Sequence, residues 1–387
     1  MKFIVKTIQT MKIDNEILEL KEQILKDKEF FWEHPELEFQ EFETSKYIIF
    51  RLREMGYENI KTGIAKTGVM AELDGEIPGE CILFRCDMDA VPLGDRNNVK
   101  HTCGHDAHMA ILLGLAQILI NNKEKLKGHV KLVFQPAEEG TGGAKPMIEE
   151  GILENPRVDK VFAIHVWSEI EDGKIGIKTG PIMASTDAFD VIITGKGGHA
   201  ALPEKCINPI YVANELITKI QEIQNNISKE EKVVFGVTSI NAGSSNNVIP
   251  ESLVLRGIRR TFNPETRQYL KDILIQICDE LSEKWNAKLE IRKMSDLPPV
   301  INAGEDADIV KELAKNIVGE ENIIEDYQTM CSEDFAFFLE ARPGAFVFIG
   351  NRLDEYFPQH SENYRVGENA IILGETVLYK IAKKYLF

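Results

Sequence analysis

Eight consecutive residues, His101-Thr102-Cys103-Gly104-His105-Asp106-Ala107-His108, bring a thiol, three imidazoles and a carboxylate to the start of the apolar helical run 109–120. A hydrophobic core has no use for so many ligating groups at one helix start. A metal ion does, since thiolate, imidazole and carboxylate all bind zinc and its neighbours in the first transition row. The free N–H groups and dipole of a helix N-terminus also favour a thiolate. The competing reading is a helix cap whose side chains do no chemistry.

Gln135-Pro136-Ala137-Glu138-Glu139-Gly140 is the second such segment, at the end of the apolar run 130–134. Adjacent carboxylates repel unless a cation or proton intervenes, and Gly140-Thr141-Gly142-Gly143 lets the backbone close around a site. One glutamate could bind metal while its neighbour handles protons; a solvated turn is the alternative. His165 follows Val161-Phe162-Ala163-Ile164, and His360 lies in the polar loop Phe357-Pro358-Gln359-His360-Ser361. His199 sits at the tip of Gly195-Lys196-Gly197-Gly198-His199-Ala200-Ala201. Taken singly, these three histidines are as readily structural as functional. The glycine-rich segment lacks a P-loop or dinucleotide fingerprint, which disfavours nucleotide binding.

These residues need a scaffold. At 387 residues the chain is too long for one ordinary core and predicts two domains. In the first part, helical periodicity at 14–33 and 44–55 alternates with short apolar strands at 69–73, 81–86, 130–134 and 161–166. That rhythm predicts an α/β domain, a mainly parallel sheet covered by helices, with its chemistry at the carboxyl ends of the strands. From Ala184 the order is strand 189–194, helix 209–226, strands 233–240 and 252–260, helix 264–287 and strand 288–293. This is the β-α-β-β-α-β, ferredoxin-like pattern. Residues 184–295 therefore read as an inserted satellite domain, and 1–183 with 296–387 as a discontinuous catalytic domain, with a cleft between the two.

A formal charge of -17 without a long basic stretch argues against nucleic acid and anionic membrane surfaces as partners. No run of 18 apolar residues is present, and residues 1–15 show no signal-peptide pattern. The six cysteines are irregularly spaced, which fits a reducing, cytoplasmic setting; Cys81, Cys278 and Cys331 have apolar neighbours and read as reduced core residues.

Together the segments resemble the M20 metallopeptidase and amidohydrolase family, in the branch of N-acyl-amino-acid amidohydrolases, indole-acetyl-amino-acid hydrolases and N-acetyl-diaminopimelate deacetylases. The matching pieces are Arg85-Cys86-Asp87-Met88-Asp89-Ala90-Val91-Pro92, Cys103-Gly104-His105-Asp106, Pro136-Ala137-Glu138-Glu139-Gly140 and Ile164-His165. Gly197-Gly198-His199-Ala200-Ala201, Asn247-Val248-Ile249-Pro250 and Ser332-Glu333-Asp334-Phe335 continue them in family order.

The resemblance implies two divalent metal ions per chain, held by Cys103, His105, Glu139, His165 and His360, with the Cys103 thiolate bridging. Thiolate and imidazole suit zinc, and manganese, cobalt and nickel are alternatives. It further implies Glu138 as general base, His199 as oxyanion donor, and Asn247 and Arg260 as substrate-binding residues. Domain closure during turnover and a homodimer through the satellite domain also follow from it. His101 and His108 become structural or supporting residues, and Asp106 a group that could orient a ligand imidazole. The implied reaction is hydrolysis of a small N-acyl-amino acid to a carboxylate and a free amino acid, with a carboxypeptidase or dipeptidase as the nearest alternative. A metal-independent cysteine hydrolase, with Cys103 as nucleophile and His105 as base, is the rival from another class; a metal-free binding protein is a third. Two departures stand out. The segment between Pro92 and Cys103 is short, and the usual Leu-His-x-Pro is here Gln359-His360-Ser361-Glu362.

Overall fold

The apolar runs pair into an eight-stranded sheet in the computed structural model, which describes residues 11–227 and 231–387. Its order is Asn59–Ile64, Gly68–Asp74, Lys127–Gln135, Ile77–Asp87, Lys160–Glu171, Gly344–Arg352, Ile175–Gly176 and Ile323–Ile324. The four central strands, from Lys127–Gln135 to Gly344–Arg352, run parallel. Gly68–Asp74 and Asn59–Ile64 extend one side antiparallel. The central strands are continuous apolar runs because helices bury them on both faces. The expected mixed α/β fold, dominated by a mostly parallel sheet, is the observed one.

Helix His105–Asn121 is apolar almost all round and lies inside the core. It packs against helices Asn15–Glu33, Phe42–Met55 and Glu368–Leu386 and strand Ile77–Asp87. Gly104 caps it with φ 97°, and a Cβ there would lie 2.4 Å from Val166 Cγ2. Only glycine combines that left-handed turn with so close an approach to the neighbouring strand. His165 lies within a strand that runs past the expected end at residue 166. Its strand continues to Glu171 because Gly344–Arg352, not assigned from sequence, pairs alongside and sets Phe348 opposite His165.

This sheet and its helices form one unit, built from the described residues up to Gly180 together with Ile301–Tyr327 and Asp334–Phe387. The other unit, Pro181–Val300 with Gln328–Glu333, has its own core. Its antiparallel sheet has the order Val233–Ala242, Ser252–Thr261, Asp187–Thr194, Lys288–Lys293. Alternate residues of Asp187–Thr194 and Ser252–Thr261 are buried, as a sheet covered on one face requires. Helices Pro209–Asn226 and Pro264–Trp285 each begin with a proline at the first helical position. The preceding Asn208 and Asn263 cap their free N–H groups at 3.0 and 2.8 Å. A separate ribbon pairs Gly198–His199 with Val248–Ile249.

All six cysteines are unpaired. Cys81 and Cys278 are buried, but Cys331 is exposed: its loop follows Met330 rather than entering either core. Among the described residues no helix is long and apolar enough to cross a membrane. Residues 1–10, on which the signal-peptide reading partly rests, lie outside the described residues.

Gly104→Ala should therefore destabilise the first unit by at least about 1 kcal/mol, since the new Cβ meets both a left-handed backbone and Val166. Thermal unfolding in chelator would show it; an unchanged melting temperature would remove this packing constraint.

Candidate metal centre

Three segments of the first unit converge beside the central strands. The turn before helix His105–Asn121 carries Cys103 and His105, the loop after Lys127–Gln135 carries Glu138 and Glu139, and Lys160–Glu171 carries His165. His360 joins from the loop 357–361, where its own φ of 64° and its N–H bond to the Thr102 carbonyl (2.8 Å) fix the backbone.

Their donor atoms form overlapping groups. Cys103, Glu139 and His360 offer atoms within 4.8 Å of one another, as do His105, Glu138 and Glu139. His360 Nε2 lies 3.1 Å from Glu139 Oε1, and Cys103 Sγ lies 3.6 Å from His165 Nε2. The structure thus brings together Cys103, His105, Glu138, Glu139, His165 and His360. A further group, Asp87, His105, His108 and His165, is fully buried.

Hydrogen bonds decide which imidazoles have a lone pair to offer. His105 Nδ1 donates to the Asp89 carbonyl at 2.8 Å, so its buried Nε2, which has no hydrogen-bond partner, carries a lone pair. His165 Nδ1 donates to the Val166 carbonyl at 2.7 Å, and its Nε2 faces the Cys103 sulfur. His108 differs: Nε2 accepts the Val166 N–H at 3.0 Å and Nδ1 donates to Asp87 at 2.7 Å, so both nitrogens are engaged. It is a supporting residue. His101 is buried with no partner on either nitrogen, and burial pushes its imidazole down to about 3.

The electrostatics ask for a cation. Burial, then Glu139 and Glu138, push the Cys103 thiol well above its ordinary value. Burial alone would lower His105, but Asp87, Glu139 and Asp89 outweigh it and hold its imidazolium up to about 10. A bound cation would answer the same carboxylates and take the Nε2 lone pair, so the donor set fits metal. It does not fit a cysteine nucleophile. The thiol faces His165 rather than the expected base His105, and its surroundings oppose the thiolate unless a cation is present.

The Glu138-Glu139 loop is held by carboxylates that were not assigned from sequence. Asp89 Oδ1 and Oδ2 accept the N–H groups of Glu138 and Glu139 at 2.9 and 3.0 Å. Glu41 Oε1 accepts that of Ala137 at 3.0 Å, stabilising a left-handed residue (φ 58°), and Asp334 Oδ2 accepts that of Ala144 at 3.0 Å. Burial pushes Glu41 up to about 7. Asp89 lies in the quoted Asp87-Met88-Asp89 run, where a second acid just past the strand was the available signal; Glu41 gave none. Asp106 does not orient an imidazole. Its carboxylate faces Lys28 Nζ at 3.2 Å, and the His105 and His165 rings are set by backbone carbonyls instead. Asp87 is held well below the usual carboxylate range by His105, His108 and Arg85 against the opposing effect of burial.

The second unit carries the remaining expected residues. His199 and Asn247 share the short ribbon: the Ala200 N–H bonds the Asn247 carbonyl at 3.0 Å, and Ser245 donates to the Asn247 side-chain oxygen. The Ala201 N–H donates to His199 Nδ1 at 3.1 Å, which leaves the ring proton on Nε2. Arg260 is half-buried, and its Nη1 donates to the Met330 carbonyl at 2.6 Å.

Residues 83–384 match the profile of peptidase family M20/M25/M40. The chain is 36% identical over 377 residues to the N-acetyl-L-cysteine deacetylase of Bacillus subtilis, covering 95% of this chain and 89% of that protein. It is 34% identical over 391 residues to thermostable carboxypeptidase 2 of Saccharolobus solfataricus, covering 97% and 98%. The crystal structure of the Bacillus subtilis YXEP protein, a dinuclear metal binding peptidase, superposes with a TM-score of 0.79 at 31% identity, over 94% of this chain and 97% of that one.

If Asp89 sets the loop, Asp89→Asn should weaken divalent-metal binding about 10–100-fold, because an amide cannot accept both N–H groups. Competition with a chromogenic chelator measures this; wild-type affinity would show that the loop holds its shape without Asp89.

Proposed function

The chain belongs to peptidase family M20/M25/M40, and from that premise we propose that it hydrolyses the amide bond of small N-acyl-amino acids with two divalent metal ions. The observation that carries this reading is the set of lone pairs and acids converging on one place, His105 Nε2, His165 Nε2, Cys103, Glu139 and His360, with Glu138 beside them. We assign these five residues as the ones that would hold the metal ions, and Glu138 as the general base.

Two cations held there would polarise the scissile carbonyl and lower the pKa of an attacking water from about 16 towards roughly 7. Glu138 takes the water proton as the oxygen adds to the carbonyl carbon. It then passes that proton to the amide nitrogen as the carbon–nitrogen bond breaks. A carboxylate and a free amine leave, and one water is consumed. Asp89 keeps Glu138 and Glu139 in register for this by gripping their backbones. His199, through its Nε2 proton, is assigned to the oxyanion, and Asn247 and Arg260 to the substrate carboxylate or the intermediate.

Residues 1–183 with 296–387 are proposed as the catalytic domain and 184–295 as a satellite and dimerisation domain. Zinc is the proposed metal and the cytoplasm the proposed setting. A small acyl-amino acid is the proposed partner. The 34% identity to a carboxypeptidase favours a second reading, in which the same centre removes a C-terminal residue from a short peptide.

The test is amino-acid release from N-acetyl, N-benzoyl and N-indoleacetyl amino acids and from dipeptides. The protein would be assayed after chelation, after restoration of Zn²⁺, Mn²⁺ or Co²⁺, and as Glu138→Gln. Chelation should abolish release and metal should restore it. Glu138→Gln should lose about 10²–10⁴ in rate while still binding metal. Turnover surviving both chelation and Glu138→Gln would overturn the metal-hydrolase reading. A preference for dipeptides over every acyl-amino acid would move the assignment to the carboxypeptidase reading.

A further inference from the structure

Gln359 stands where the family resemblance leads one to expect leucine, beside His360. Its carboxamide orientation is settled by its neighbours. The Val166 carbonyl, 3.3 Å away, can only accept, so it faces Nε2; the hydroxyl of buried Ser168 donates to Oε1 at 3.3 Å. An amide nitrogen carries two hydrogens. With one directed at Val166, the nitrogen also lies 3.9 Å from Cys103 Sγ, at the outer reach of an N–H···S contact. The same Val166 carbonyl accepts from His165 Nδ1, so one peptide group positions both a ligand imidazole and this amide.

We propose that Gln359 donates a hydrogen bond to the Cys103 thiolate and thereby tunes that sulfur as a metal ligand, a positioning role that leucine cannot fill. The proposal rests on the reading of Cys103 as a metal ligand. A sulfur lone pair engaged by an N–H donates less charge to a bound cation, and hydrogen bonds to ligating sulfur are an established means by which proteins adjust metal centres. Two other neighbours of the sulfur, the His165 lone pair and the Glu139 carboxylate, accept rather than donate.

The near-ultraviolet sulfur-to-cobalt charge-transfer band of the Co²⁺-loaded full-length protein reads the energy of that lone pair directly. Gln359→Leu and Gln359→Met both remove the N–H, and methionine keeps nearly the length of glutamine should leucine fold poorly. The band should move to longer wavelength in each, because an unbonded sulfur lone pair lies higher in energy. Cys103→Ser provides the separate control and should lose the band. A wild-type protein without the band, or a band that survives Cys103→Ser, would overturn the assignment of Cys103 as ligand. A band present in the wild type, lost in Cys103→Ser, and unmoved or shifted to shorter wavelength in both Gln359 variants would overturn the role of Gln359 alone.

Discussion

Acidic groups packed into a low-dielectric interior must each be answered by positive charge, a proton or oriented N–H groups, and this constraint organises the first unit. Asp87 and Asp334 are answered by Arg85, at 2.8 and 3.0 Å, in a fully buried pairing. The side chain of Asp89 is answered by two backbone N–H groups. Cys103 and Glu139 also meet imidazoles, His165 at 3.6 Å and His360 at 3.1 Å. A histidine already donating from Nδ1 to a carbonyl can answer a carboxylate only by also protonating Nε2. A divalent cation would take that lone pair and offset two charges at once.

The same bonds that satisfy buried backbone also choose the chemistry of the rings. Asp89 links two of the three segments. Its carbonyl sets the His105 tautomer, and its carboxylate holds the peptide N–H groups of both glutamates. Val166 does the corresponding work on the neighbouring strand: its carbonyl sets His165, and its N–H occupies Nε2 of His108. Gly104 lets the Cys103 turn approach that strand closely enough for these bonds to coexist. Placement of the donors is thus a property of peptide groups as much as of side chains.

This explains what was legible in the sequence. The sheet and its helices were readable because long apolar periodic runs leave little choice of partner. Cys103, His105, Glu138 and Glu139 stood out because ligating types crowd into short segments. His165 and His360 were ambiguous alone, since a single imidazole carries no sign of which nitrogen its surroundings will occupy. Glu41 and Asp89 were harder still. Each acts through backbone N–H groups roughly fifty or more residues away in the chain, and no local pattern encodes such a pairing. The strand Gly344–Arg352 was missed for a related reason: it gains its identity from the central strand beside it, not from any alternation of its own. Cys331 shows the converse, where apolar neighbours in sequence did not place a residue in a core.

His199 shows how far a fixed tautomer constrains a role. An oxyanion donor needs a proton aimed outward, and a neutral imidazole has only one to place. With the Ala201 N–H donating to Nδ1, that proton resides on Nε2. The neutral ring therefore donates from Nε2. A general base would need the opposite tautomer, with its lone pair on Nε2. The backbone of the ribbon thus favours His199 as a hydrogen-bond donor over a general base.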